Sequence, residues 1–200
     1  MKCMLNYKKM RKIIFLIIIF LSLAFTIGIN NTSIIISPKS QLVIKGTTNV
    51  SKFKCHFNIE EIKNPIPVSY VQKEEKFVFE KALLVLDNSC FDCGSSAINK
   101  DFVNLLKSDE YPQIVLELKE IQKDTKVTNV VHALIEIFIA GESKLYVIPV
   151  KIEGDSILNV SGSLSLNICD FNLEAPKKAL GLIVVSEIIN INFDLLIQEK

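Results

Sequence analysis

The sequence predicts an all-β protein: an antiparallel, closed β-barrel with one short helix. Three observations carry this. From about Ser33 onward apolar residues recur at every second position, as in strands with one buried face. The runs are joined by short turns, which exclude parallel crossovers of a dozen or more residues. Only one stretch has a helical stripe. One hydrophobic face per strand leaves a sandwich or a barrel. Strands of about ten residues favour closure, which removes sheet edges.

Ser51, Phe53, Cys55, Phe57 and Ile59 share one face, and Lys52, Lys54, His56 and Asn58 the other, after turn chemistry at Gly46-Thr47-Thr48-Asn49. Asn64-Pro65-Ile66-Pro67 is expected to be a loop. A strand is expected over Lys76 to Leu86, with Phe77 and Phe79 on one face and a phase break at Lys81-Ala82-Leu83-Leu84 that marks a bulge. The helix is expected to start at Asn99 as N-cap, with Asp101 in its first turn. Ile98, Phe102, Leu105 and Leu106 form its apolar stripe, and Tyr111-Pro112 ends the segment. Ile114, Leu116 and Leu118 alternate with Val115, Glu117 and Lys119, then Val131, Ala133, Ile135, Ile137 and Ile139 form the next face. Gly141-Glu142-Ser143 and Glu153-Gly154-Asp155 read as turns around the next strand. Leu158, Val160, Leu164, Leu166 and Ile168 form one more face, and Ile189, Ile191, Phe193, Leu195 and Ile197 the last.

Hydrophobic residues make up 49% of the chain and charged ones 22%, enough for a packed core. The net charge of +1 hides an asymmetry, because every charge in the first 31 residues is positive. Removing Lys2, Lys8, Lys9, Arg11 and Lys12 leaves 18 basic against 22 acidic residues, a formal −4. A mildly acidic domain argues against nucleic acid as a partner. The basic cluster followed by Ile13 to Leu21 reads as a secretory signal, with small-residue cleavage patterns at Ser22-Leu23-Ala24 and Thr26-Ile27-Gly28. The expected organisation is a signal peptide over residues 1–28, or an uncleaved anchor, and one barrel domain over 33–198, exported to the periplasm or outside the cell.

Cys3 belongs to the signal, which leaves Cys55, Cys90, Cys93 and Cys169. An exported domain can form disulfides. Four cysteines allow three full pairings, and spacing does not choose among them. Cys90-Phe91-Asp92-Cys93 is a C-x-x-C motif, but a thioredoxin-like site needs it beside a βαβ unit, and none is predicted. A zinc site would want a second such pair or paired histidines. His56 and His132 lie on polar strand faces, and spacing ties neither to a Ser, Asp or Glu. Ser95-Ser96 sits in no nucleophile-elbow pattern. No catalytic residue, metal site or cofactor is expected, and the chain reads as a non-enzyme.

The spaced landmarks resemble the YceI-like family. Gly46-Thr47-Thr48-Asn49-Val50-Ser51-Lys52-Phe53 looks like its amino-terminal motif. Asn99 to Lys107 with Glu110-Tyr111-Pro112-Gln113-Ile114 is similar to its helix-and-strand segment, the most specific stretch. Ile137 to Gly141 with Val147 to Val150 resembles its central hairpin. Leu164-Ser165-Leu166 with Asp170 to Pro176 and Gly181 resembles its carboxy-terminal signature. Together these span about Ile34 to Ile197. The resemblance implies a lipocalin-like barrel of about eight strands with an elongated interior, export, and binding of polyisoprenoid chains such as quinone-type lipids. It also implies a disulfide between Cys55 and Cys93, a pairing that recurs in part of the family. Two features depart from the pattern: Leu180 to Val185 is more apolar, and Trp is absent, so a ligand cage would rest on Phe and aliphatic residues.

An eight-stranded barrel either fills itself with side chains or holds one ligand. The inward candidates are Phe53, Phe57, Phe77, Phe79, Leu116, Ile135, Ile137, Leu164, Leu166 and Phe193. Tyr111, Tyr146 and Asn49 are candidates for a ligand head group near a mouth. The expected function is to sequester or carry a polyisoprenoid lipid. Peripheral contact with a membrane and a monomeric or dimeric state are both open. Two rival readings stand beside it: an envelope structural or interaction protein with a filled core, and a thiol redox protein using Cys90 and Cys93.

Overall fold

The computed structural model describes residues 28–178 and 182–200, so most of the expected signal segment and part of the apolar 180–185 run lie outside it. The described residues form thirteen strands and one α-helix in the order β1 (Asn30–Ile36), β2 (Gln41–Thr47), β3 (Lys52–Phe57), β4 (Ile66–Lys73), β5 (Lys76–Asp87), β6 (Phe91–Asp92), α1 (Ser96–Leu105), β7 (Gln113–Lys123), β8 (Val130–Ile139), β9 (Glu142–Glu153), β10 (Leu158–Asn167), β11 (Lys177–Lys178), β12 (Ile183–Val184) and β13 (Ile188–Glu199).

Eight strands close a ring in the order β1-β4-β5-β7-β8-β9-β10-β13, with β13 returning to β1. Every pairing in the ring is antiparallel. The last strand does double duty. Its carboxy-terminal part pairs with β1 (Ile36 opposite Ile197), and its earlier part pairs with β2 (Leu42 opposite Phe193). β1 and β2 are therefore one strand interrupted at Ser37–Ser40. There Ser37 N donates to Leu196 O at 2.8 Å, and buried Ser40 Oγ accepts from Leu196 N at 2.9 Å. The hydroxyl supplies the acceptor that the bulging backbone withdraws. β3 and β6 extend the sheet beyond β2.

The phase break in β5 falls just ahead of the expected Lys81 to Leu84. Tyr70 faces Phe79 while Ser69 faces Lys81, so Glu80 is the extra residue. A second shift on β7 leaves Lys119 unpaired between Leu118 and Glu120, and its ammonium bridges Glu117 and Glu136 at 2.8 and 3.0 Å. A bulge flips the inward parity of the residues beyond it. Phe77 and Phe79 thereby share a face with Ala82, Leu84 and Leu86.

Three local expectations are corrected. Ile66 and Pro67 open β4 instead of lying in a loop. Pro67 stands opposite Ser33 of β1, and Asn64 caps the same ladder by pairing its side-chain amide with both Ile36 N and Ile36 O at 3.0 Å. The helix is capped by Ser95, whose Oγ accepts from Ile98 N, not by Asn99. Asn99 instead accepts from Cys93 N at 2.6 Å and donates to Asp92 at 3.2 Å. The β8–β9 turn is Ala140-Gly141, one residue earlier than expected. Both have positive φ (49° and 85°), the conformation of a two-residue type I′ hairpin.

The core has two centres. The larger, at the α1 end, includes Ile44, Cys55, Ile137, Leu166 and Phe171. The smaller, around Ala133, Ile148 and Val150, fills the other end. Ile135, Tyr146, Leu164 and Phe193 touch both.

Candidate functional site

A cavity of about 90 Å³ lies inside the ring at the α1 end. Alternate positions of the strands point into it: Leu116 of β7, Ile137 and Ile139 of β8, Leu166 of β10. Phe102 and Leu105 of α1 close it from above, and Phe53, Val185 and Ser186 from the side. Among the described residues, Ser186 is the one polar residue in its lining. Nothing there would orient a charged group, and everything there suits hydrocarbon.

The ten inward candidates separate into groups. Phe53, Leu116, Ile137 and Leu166 line the cavity. Ile135, Leu164 and Phe193 sit deeper, joining the two core centres. Phe57 is buried against Phe91, with ring centroids 5.0 Å apart. Phe77 and Phe79 gather around Tyr70 at 5.7 and 5.8 Å, apart from both core clusters. Several lining residues escape the strand-face reading because they come from α1, from the 3₁₀ turn at Ile168–Phe171 and from the 182–186 segment. The helical stripe at Phe102 and Leu105 is the signal available for α1.

Each head-group candidate has a structural partner. Asn49 reaches across to the 182–186 segment: its Nδ2 donates to Leu182 O at 2.9 Å, and its Oδ1 accepts from Val184 N at 3.1 Å. The Tyr111 ring lies against Gly141, where an added Cβ would come within 2.8 Å of it. Tyr146 stacks on Phe171 and donates to Asp170 at 3.2 Å. Burial, reinforced by the Asp170 carboxylate, pushes the Tyr146 phenol up to about 12. Tyr146 occupies a seam. The β9–β10 ladder runs only from Val150 to Glu153 against Asn159 to Gly162, and it stops at Pro149, which has no N–H to give.

The four cysteines among the described residues form one bridge and two thiols. Cys55 is bonded to Cys93 across a sequence separation of 38. It ties β3 to the segment that leads into α1. Cys90 and Cys169 are free. Burial pushes both thiols up, with Glu187 adding to the effect at Cys169 and Asp87 at Cys90. Thiols shifted that way are poorer nucleophiles. Cys93 is committed to Cys55, so the C-x-x-C pair is not itself bridged.

His132 has a partner that sequence spacing did not reveal: its Nε2 lies 2.8 Å from Asp124 Oδ2. Asp124 belongs to the β7–β8 turn, where it also accepts from Lys126 N at 2.7 Å and Val127 N at 2.9 Å. These donors, Lys126 first, hold its carboxyl below the usual range. The constellation is turn chemistry. Among the described residues no group of three or more His, Cys, Asp or Glu is placed to hold a metal. Among them, too, no helix is long and apolar enough to cross a membrane.

No family model matches the chain, and no curated protein matches it by sequence. Solved structures do match its fold. A polyisoprenoid binding domain from Saccharophagus degradans, implicated in plant cell wall breakdown, is 13% identical with a TM-score of 0.60, covering 88% of this chain and 100% of that one. BcnA of Burkholderia cenocepacia is 17% identical with a TM-score of 0.59, covering 79% and 96%. The YceI protein of Campylobacter jejuni is 19% identical with a TM-score of 0.52, covering 61% and 74%. The chain has the YceI-like fold.

Proposed function

We propose that this chain is an exported carrier that holds an apolar, isoprenoid-type lipid inside its barrel and catalyses no reaction. One observation carries the proposal: an internal cavity whose lining is hydrocarbon except for Ser186, in a fold shared with a polyisoprenoid binding domain. The driving force is removal of apolar surface from water, about 0.8 kcal/mol per methylene, so a chain of a few isoprene units needs no polar anchor. Export is supported by the Cys55–Cys93 bridge, which needs an oxidising compartment, and by the basic and apolar amino-terminal segment.

The cavity, at about 90 Å³, is well below the roughly 300–1,000 Å³ of typical ligand sites. Uptake therefore requires a wall to move. The wall best suited is α1. It turns Phe102 and Leu105 toward the cavity, yet none of its residues is buried. Elements with little buried surface open at low cost. The small volume also favours a second reading, an envelope interaction protein with a filled core.

Mass spectrometry of an organic extract from the purified protein separates the two. The carrier reading expects one isoprenoid lipid per chain, or stoichiometric uptake of an isoprenoid quinone by delipidated protein. An empty extract with no uptake supports the filled core.

A further inference from the structure

We infer that the barrel end formed by the β2–β3 turn and the 182–186 segment is a docking surface for an anionic lipid bilayer. The inference deepens the carrier reading, on which it rests for its purpose but not for its test.

The two segments form one unit. Besides the two side-chain bonds of Asn49, Asn49 N donates to Val184 O at 3.2 Å and Ser186 N to Thr47 O at 2.8 Å. Val185 and Ser186 of this unit line the cavity, together with Phe53 just beyond the turn. Its inner side therefore touches the proposed lipid site, and three aliphatic side chains stand out on its outer side among Thr47, Asn49 and Ser51. Val50 is 68% exposed and Leu182 75%, with Val184 at 40%. A single exposed aliphatic residue is ordinary. Three on two segments laced together, directly over an apolar cavity, form a tip.

The flank of that tip is basic. Lys45, Lys52 and Lys54 are exposed on the outer face of β2 and β3. Lys45 stands directly opposite Lys54, an arrangement that repels. Among the described residues none of the three has an ion-pair partner. Two acids lie nearby without an ion-pair contact to these lysines: Glu187, which faces Cys169, and Asp92, which accepts from Gly94 N and Asn99. A cationic strip on a domain that is otherwise net acidic is suited to a negatively charged partner. Apolar residues that enter the interface, with lysines that meet its head groups, match a bilayer carrying anionic lipid. An apolar tail leaving that bilayer would reach the cavity wall without crossing water.

The test is hydrogen exchange of the full chain with and without vesicles of phosphatidylglycerol and phosphatidylcholine. We expect vesicles to slow exchange over residues 47–54 and 182–186, with little effect from phosphatidylcholine alone. The triple variant K45E/K52E/K54E should lower vesicle partitioning by at least about tenfold, three surface lysines being removed. The pair V50D/L182D should abolish the protection while exchange in β7 to β9 stays unchanged, which verifies the fold. Protection confined to residues 1–27 would overturn the inference, as would equal protection on neutral vesicles. Protection of the tip without vesicles would indicate a second copy and overturn it too. Cargo is measured independently by extraction, so docking without lipid sinks only the carrier reading, and lipid without docking sinks only this one.

Discussion

The ring of Phe193 lies across Gly162, its directly paired neighbour on β10, so closely that a Cβ at Gly162 would come within 2.5 Å of Phe193 Cζ. Phe53 lies over Gly46 of β2 in the same way. In both pairs the missing side chain on one strand makes room for the aromatic ring of the other, which covers the exposed backbone. Phe53 lines the cavity, and Phe193 joins the two core centres.

Gly162→Ala is therefore expected to displace the Phe193 ring and destabilise the fold by about 1–3 kcal/mol, as overpacking does. Denaturant unfolding measures it. Restoration of stability by pairing Gly162→Ala with Phe193→Leu would confirm that the ring is the obstacle.

Loss of the bridge is expected to matter more than loss of either thiol. Replacing Cys55 and Cys93 together by Ala should lower stability by about 2–5 kcal/mol. Cys169→Ser should stay within about 0.5 kcal/mol, as exposed sites do, and Cys90→Ser, at a half-buried site, should cost less than loss of the bridge. Peptide mapping of the native protein should find Cys55 joined to Cys93 and the other two alkylated.

Phe171 and Phe102 face the same cavity from different supports. Phe171 is fully buried, so Phe171→Ala should cost about 3–5 kcal/mol. Phe102 sits half-buried on α1, the wall proposed to move, so Phe102→Ala should cost clearly less and enlarge the cavity. Faster or greater uptake of an isoprenoid quinone by Phe102→Ala, tracked by fluorescence quenching or mass spectrometry, is the expected outcome. Unchanged uptake would argue that α1 is not the moving wall.

The Tyr146 phenol should titrate at about 12, against the ordinary value of 10. Ultraviolet titration of the native protein should show a late component that Tyr146→Phe removes. The same substitution cuts the bond to Asp170 that laces β9 to the turn after β10, so exchange of the amides at Tyr146 to Ile148 should quicken.

The Asp124 turn should respond to acid in a defined direction. Its carboxyl is depressed in the folded state, so its stabilisation is present above the unfolded value of about 3.9 and is lost as pH falls through the lower folded value. Protection of the Lys126 and Val127 amides should hold from neutral pH down to that range and then fail. In Asp124→Ala it should be absent throughout.

Alternation of apolar and polar residues is local, and it makes the strands, their inward faces and the bulge near Glu80 legible from sequence. The inward parity of Leu116, Ile137 and Leu166 comes from that rhythm alone. The start of β4 is hidden because Pro65 and Pro67 carry loop chemistry. Nothing local shows that Pro67 would find a place opposite Ser33. Ser95 and Asn99 are equally good capping residues by type, and only the docking of Asn99 on Cys93 and Asp92 separates them.

What the sequence by itself determined was the period-two burial, the antiparallel connectivity and the all-β class, since these depend on neighbours along the chain. Ring closure and the split of ten inward residues between a cavity, a core and the cluster at Tyr70 were decided by tertiary structure. They depend on which distant strands meet. Contacts such as Asn49 with Leu182, separated by 133 residues, have no signature until the barrel has closed around them.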